Sequence, residues 1–112
     1  KTRSSEDEVY TQIIKDLQEA QADLPASYSG ADVGRATRGA AQMLLARVYM
    51  QRNDYANART ELQKIIGSGQ YRLVDEYLDN FLEETEFNPE SIFEIGFSKI
   101  GDFNWEIDGN DY

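Results

Sequence analysis

The side chains best equipped for chemistry in this chain lie near its C-terminal end, where Asp102, Asn104, Glu106 and Asp108 alternate with Phe103, Trp105 and Ile107. On an extended strand that alternation puts the apolar residues on one face and the polar ones on the other. An open Trp105 ring beside Asp102, Asn104 and Asp108 supplies a stacking face with hydroxyl partners, which is what a sugar ring requires. A tryptophan flanked by phenylalanine and isoleucine is more often core packing, so the packed reading is the expected one. The same residues raise calcium, because Asn104, Glu106, Asp108 and Gly109 have alternating oxygen-ligand spacing. Counted from Asn104, the glutamate position of an EF-hand loop falls beyond Tyr112; counted from Asp102, Ile107 stands where glycine is needed. A solvated acidic strand face explains these residues more simply, and no metal is assigned.

The 112 residues contain no cysteine and no histidine. A thiol nucleophile, a Ser-His-Asp triad, a zinc finger and a histidine-ligated metal are therefore excluded. Nothing titrates near neutral pH without a strong shift. Catalysis would need a tuned carboxylate pair that sequence does not display, so neither enzymatic activity nor a cofactor is expected. The redox compartment is left open. With 40% hydrophobic and 12% aromatic residues, the composition is that of one packed domain, not a disordered chain. No run of about 18 apolar residues is present to span a membrane. The opening KTRSSEDE has neither an apolar signal core nor a cysteine for lipid attachment. The expectation is a segment excised from a longer protein.

Charge is unevenly distributed. Residues 1–74 hold ten basic and nine acidic side chains, whereas residues 75–112 hold Lys99 against twelve acids, for a total of −10. Within 35–72 the basic set is Arg35, Arg38, Arg47, Arg52, Arg59, Lys64 and Arg72, against two acids. A nucleic-acid surface would use that stretch. The net negative chain repels phosphate at long range, so the expected partner of this basic face is the acidic C-terminal third, not nucleic acid.

The elements that must carry these residues are mainly helical. Ser5 and Glu8 form a capping box for a helix over about 7–24, with Val9, Tyr10, Ile13, Ile14, Leu17, Ala20 and Leu24 facing inward up to Pro25. Residues 27–34 form a polar loop with Gly30 and Gly34 at its turns. A helix over 37–52 aligns Ala41, Leu44, Leu45, Val48 and Tyr49; Asn53-Asp54 ends it and Asp54 caps the next, over 55–66. There Tyr55, Ala58, Leu62, Ile65 and Ile66 point inward and Gly67 is the left-handed stop. Small residues, including Gly39, Ala41, Ala46 and Ala58, allow close backbone approach between the two helices. A shorter helix is predicted near 74–82, using Val74, Tyr77, Leu78 and Phe81. Pro89 stops any continuation, and Phe93, Ile95 and Phe97 alternate as a strand over 92–97, able to form a hairpin with the tail. The expected division is thus a helical region over 1–90 and a β-strand or hairpin over 91–112.

The order Leu45, Ala46, Tyr49, Ala58, Leu62 resembles a tetratricopeptide helix pair, with Gln42 where that repeat prefers tryptophan and Gln70 where it prefers proline. The longer words narrow this. GRATRGAAQMLLARVY, NDYANARTELQKII, SGQYRLV and NPESIFEIGFS, in that order, resemble the SusD/RagB family from about Val9 to Ser98. That resemblance implies a mainly α, tetratricopeptide-like superhelical fold, with Leu45, Tyr49, Ala58 and Leu62 at its core and a small C-terminal β segment. It also implies a lipoprotein at the outer-membrane surface that captures glycans or other nutrients for a SusC-type TonB-dependent transporter. This segment would then serve as scaffold and docking surface, without inserting in the membrane. The alternative from a different class is a tetratricopeptide adaptor that holds a peptide or partner helix. An adaptor needs about three stacked repeats for a groove, and one is recognisable. The expected far-UV circular dichroism spectrum is that of a predominantly helical chain; a mainly β-sheet spectrum would refute this reading.

Overall fold

The computed structural model describes residues 2–96. Three α-helices carry the fold: α1 (Glu6–Asp23), α2 (Arg38–Gln51) and α3 (Tyr55–Gly67). Short 3-10 turns occur at Gly30–Asp32, Tyr77–Asn80 and Glu83–Thr85.

Each helix is bounded by local chemistry. At the start of α1, Ser5 Oγ accepts from the Glu8 N–H at 3.2 Å while Glu8 Oε2 accepts from the Ser5 N–H at 3.1 Å, so two otherwise orphaned donors are satisfied. Three acids in that first turn complement the helix dipole. Thr37 caps α2 through its hydroxyl and Asp54 caps α3 through its carboxylate. Between α2 and α3, Asn53 adopts φ +60°. Its N–H donates to Met50 O at 3.0 Å and the Asp54 N–H donates to Tyr49 O at 2.8 Å. These two bonds form a Schellman closure with asparagine in the left-handed position. The chain reverses in three residues and α3 packs back on α2.

Helix α2 is the middle element, in contact with α1 on one side and α3 on the other. Leu45, Tyr49 and Ala58 form the buried cluster, and Ile14 and Leu17 of α1 pack against it. Leu45 is wholly buried, and Ala46 and Ala58 nearly so. Full burial of a leucine contributes about 1.5–3 kcal/mol. Leu62 is half-buried.

Several residues expected inside lie on the surface. Val9, Leu44, Tyr55 and Ile66 are exposed, because the inward arc of each helix is narrower than its apolar stripe. The position nearest Ala58 and Ile65 on the inner face of α3 is instead Glu61, which is buried. Its carboxylate accepts from Gln21 Nε2 of α1 at 3.0 Å and from Lys64 Nζ at 2.9 Å. Burial of that charge is tolerable because both oxygens are paired. The glycine stop of α3 also differs: Gly67 is the last helical residue, and the left-handed glycine is Gly69, at φ +69°.

Gly39 has a different partner from the one expected. A Cβ there would lie 2.8 Å from the Tyr71 ring carbons, so the missing side chain admits a tyrosine from the segment after α3. Tyr71 Oη also lies 3.4 Å from Thr37 Oγ1. The residues just beyond it are tied to the segment around Pro89. The Arg72 N–H donates to Pro89 O at 3.1 Å and the Val74 N–H to Glu90 Oε2 at 3.1 Å.

The expected helix over 74–82 is reduced to the turn Tyr77–Asn80. Tyr77, Leu78 and Phe81 are all exposed, and a short helix with no buried face lacks the packing that sustains it. Residues 92–96 form no strand, since no neighbouring strand exists among the described residues to provide a ladder. The rest of the expected strand and hairpin lies outside the described residues.

Leu45→Ala or Tyr49→Ala is expected to cost about 2–5 kcal/mol, read as a large fall in Tm, with Leu62→Ala milder because that side chain is half in solvent. Equal losses at all three would contradict the burial seen here.

Candidate functional site

The candidate ligand residues Asp102, Asn104, Trp105 and Asp108 lie outside the described residues, as does the calcium-like spacing around them. Among the described residues no group of three or more acidic side chains is arranged to hold a metal ion. No helix there is long and apolar enough to cross a membrane.

The loops before α2 and after α3 build a groove of about 160 Å³. Tyr28, Arg35, Thr37, Gln70, Tyr71, Phe87, Phe93 and Glu94 are among its lining residues. Positive φ at Gly30 (61°) and Gly34 (103°) turns the first loop. Opposite it, Phe87 adopts φ +55°, which is unusual for a bulky residue. Surrounding contacts fix that conformation. The Phe87 N–H donates to Glu94 Oε2 at 2.7 Å. Its ring lies against two glycines, with carbons 3.6 Å from a Cβ built on Gly34 and 3.4 Å from one built on Gly96. The ring thereby wedges one loop against the other. Arg35 Nε lies 3.1 Å from Asp32 Oδ1. Aromatic faces beside hydroxyl, amide and charged groups can stack on and hydrogen-bond to a polar ring. Sequence reading missed Tyr28 and Phe87 because 27–34 and 83–90 read only as polar and acidic loops, and it placed Arg35 only in the basic face. The aromatic residue inside each loop was the available signal.

A larger cleft, about 750 Å³, opens between α1, α2 and residues 90–93. Leu17, Ala20, Leu24, Met43, Leu44 and Ile92 make it mostly apolar, and Arg47 and Glu90 are its charged members. It is a packing surface in character, without convergent polar groups.

The acids at 102, 106, 108 and 111, expected among the partners of the basic face, lie outside the described residues. Among the described residues, Arg35 pairs with Asp32, Lys64 with Glu61, and Arg52 with Asp7 and Glu6 of α1. Arg52 also lies 4.6 Å from the centre of the Tyr10 ring, a cation–π contact. The Asp7 carboxylate, as hydrogen-bond acceptor, raises the Arg52 pKa above its ordinary value.

The chain is thus a mainly helical segment with a loop-built groove. A family model described as "Starch-binding associating with outer membrane" matches residues 1–50. A SusD-like protein of Formosa agariphila is 32% identical over 97 residues, which is 87% of this chain and 18% of the relative. A solved SusD-like protein from Bacteroides fragilis matches with TM-score 0.79 and 36% identity over 87% of this chain and 20% of its own. Surface glycan-binding protein A from Bacteroides thetaiotaomicron matches with TM-score 0.73 and 36% identity over 82% and 21% respectively. Sequence and fold agree, and together they support a segment of the SusD/RagB family. The chain spans about a fifth of the length of the relatives it matches.

Phe87→Ala is expected to speed amide exchange in the loop around 28–35 while α2 and α3 keep their protection; unchanged exchange in that loop would remove the wedge role.

Proposed function

We propose that the polypeptide containing these residues captures glycans at the outer-membrane surface and delivers them to a SusC-type TonB-dependent transporter. The carrying observation is agreement in both sequence, at 36% identity, and fold with a SusD-like protein and with a surface glycan-binding protein. In this reading α2 and α3 are a tetratricopeptide-like pair, and residues 1–90 act as a helical scaffold and docking surface. Toward the C-terminal end, Trp105, with Asp102, Asn104 and Asp108, is the part of the chain that meets ligand. The role is binding, not catalysis, in keeping with a chain that has no histidine or cysteine. The groove of Tyr28, Arg35 and Phe93 adds further aromatic and polar surface of the kind a sugar uses.

Tight capture of a sugar depends on preorganised donors and a rigid stacking face. A segment spanning a fifth of its relatives supplies only part of such a site. Titrated with a panel of oligosaccharides under Trp105 fluorescence, the 112-residue chain is expected to bind no better than about millimolar, or roughly −4 kcal/mol. The complete polypeptide is expected to bind more tightly. Micromolar binding by the short chain, lost in Trp105→Ala, would instead make the tail a self-contained site. No glycan binding by the complete polypeptide would overturn the proposal.

A further inference from the structure

The groove between the loops is small and unevenly charged. Its volume of about 160 Å³ is below the roughly 300–1,000 Å³ of a site for a drug-sized molecule, and suits one sugar ring better than an oligomer. Arg35 and Glu94 are its charged lining residues, and they are not equivalent. Arg35 already has a counter-ion in Asp32. Glu94 is half-buried, and its Oε2 accepts from the Phe87 N–H at 2.7 Å. Among the described residues no base pairs with it. The backbone donor therefore fixes this carboxylate in place without neutralising it. Residues 75–94, which include the wall of Phe87, Ser91, Ile92, Phe93 and Glu94, contain eight acids and no base. Arg72 is the nearest base before them in sequence. A cleft with walls of one sign concentrates its field and excludes ions of the same sign. Within a Debye length, about 8 Å at physiological salt, that field is little screened.

Resting on the glycan reading above, we propose that this groove is a subsite for one sugar ring without an acidic substituent, and that Glu94 is its specificity-determining residue. Tyr28 and Phe93 supply ring faces for stacking. Glu94 Oε1 accepts from a hydroxyl of the bound ring, a charge-assisted hydrogen bond. An amino sugar donates to the same oxygen from an ammonium group and gains from the acidic wall. A uronate or a sulfated ring sets an anion against a fixed carboxylate, and like charges brought together in this way select against the wrong ligand. The order of preference is amino sugar, then neutral hexose, then uronate or sulfated sugar. Shape and stacking are common to the three classes, so charge at Glu94 is what separates them.

The test uses the purified complete polypeptide, titrated calorimetrically with maltohexaose and cellohexaose, a glucosamine hexamer and hexagalacturonate. A neutral hexamer is expected to bind about tenfold more tightly than hexagalacturonate, and the glucosamine hexamer at least as tightly as the neutral ones. Glu94→Gln keeps the shape and an acceptor oxygen, and should narrow the gap between neutral and acidic sugars to about threefold or less. Tyr28→Ala should weaken neutral binding about tenfold by removing a stacking face. Hexagalacturonate binding as tightly as the neutral hexamers would overturn the proposal and leave glycan capture standing. So would Glu94→Gln lowering affinity for every sugar alike, which is the mark of a merely structural carboxylate. Neutral binding indifferent to Tyr28→Ala would overturn it by placing capture elsewhere in the polypeptide. Binding of none of these sugars would overturn both the proposal and the reading it rests on.

Discussion

The structure depends on how closely α2 can approach its two neighbours. Leu45 and Tyr49 occupy the centre of that approach, with Ala58 of α3 on one side and Ile14 and Leu17 of α1 on the other. Alanine at 58 lets the α3 backbone come near enough for the leucine to lose all its exposure, and Ala46 is equally enclosed. Interiors pack at crystal-like density, so small and large residues must alternate across such a seam. Because α2 touches both other helices, loosening it would separate α1 from α3, which otherwise meet chiefly through the Gln21–Glu61 hydrogen bond.

That polar bond has a consequence out of proportion to its net energy. A buried carboxylate is acceptable only in the arrangement that keeps its partners within reach, so Glu61 penalises any rotation or slide of α3 that parts it from Gln21. Tyr49, whose hydroxyl accepts from Gln18 Nε2 at 3.3 Å, fixes α1 against α2 in the same way. Arg52 holds the opposite end of α1 through Asp7, Glu6 and the Tyr10 ring. The exposed ion pairs are individually weak. Apolar contact brings the three helices together, and these directional contacts set their register.

The helices in turn position the loops. Tyr71 enters the space left by Gly39 and carries the chain back over the start of α2, beside the loop that holds Tyr28 and Arg35. Phe87 then wedges between Gly34 and Gly96. Aromatic anchors seated on glycines thus convert two irregular segments into one surface. Surfaces held by such anchors present their groups without an ordering cost at each encounter.

Much of the local structure was determined by sequence alone. Ser5, Thr37 and Asp54 mark helix starts, and Pro25 and Asn53 mark stops, because caps and breakers act within a few residues of themselves. The periodicity of Leu45, Tyr49 and Ala58 was legible for the same reason, and the four sequence words carried the family. What tertiary structure decided was everything that depends on which neighbour arrives. Sequence could not tell Glu61 from a surface acid, since its burial requires Gln21 forty residues away. It could not tell the buried face of α3 from the exposed one, because Leu62, Ile65 and Ile66 are equally apolar and only packing assigns a face. Nor could it show that the apolar 77–81 stretch would stay exposed, or that Gly39 makes room for Tyr71. Local chemistry ends and begins helices, but burial is a property of pairs of segments, and only the folded chain brings those pairs together.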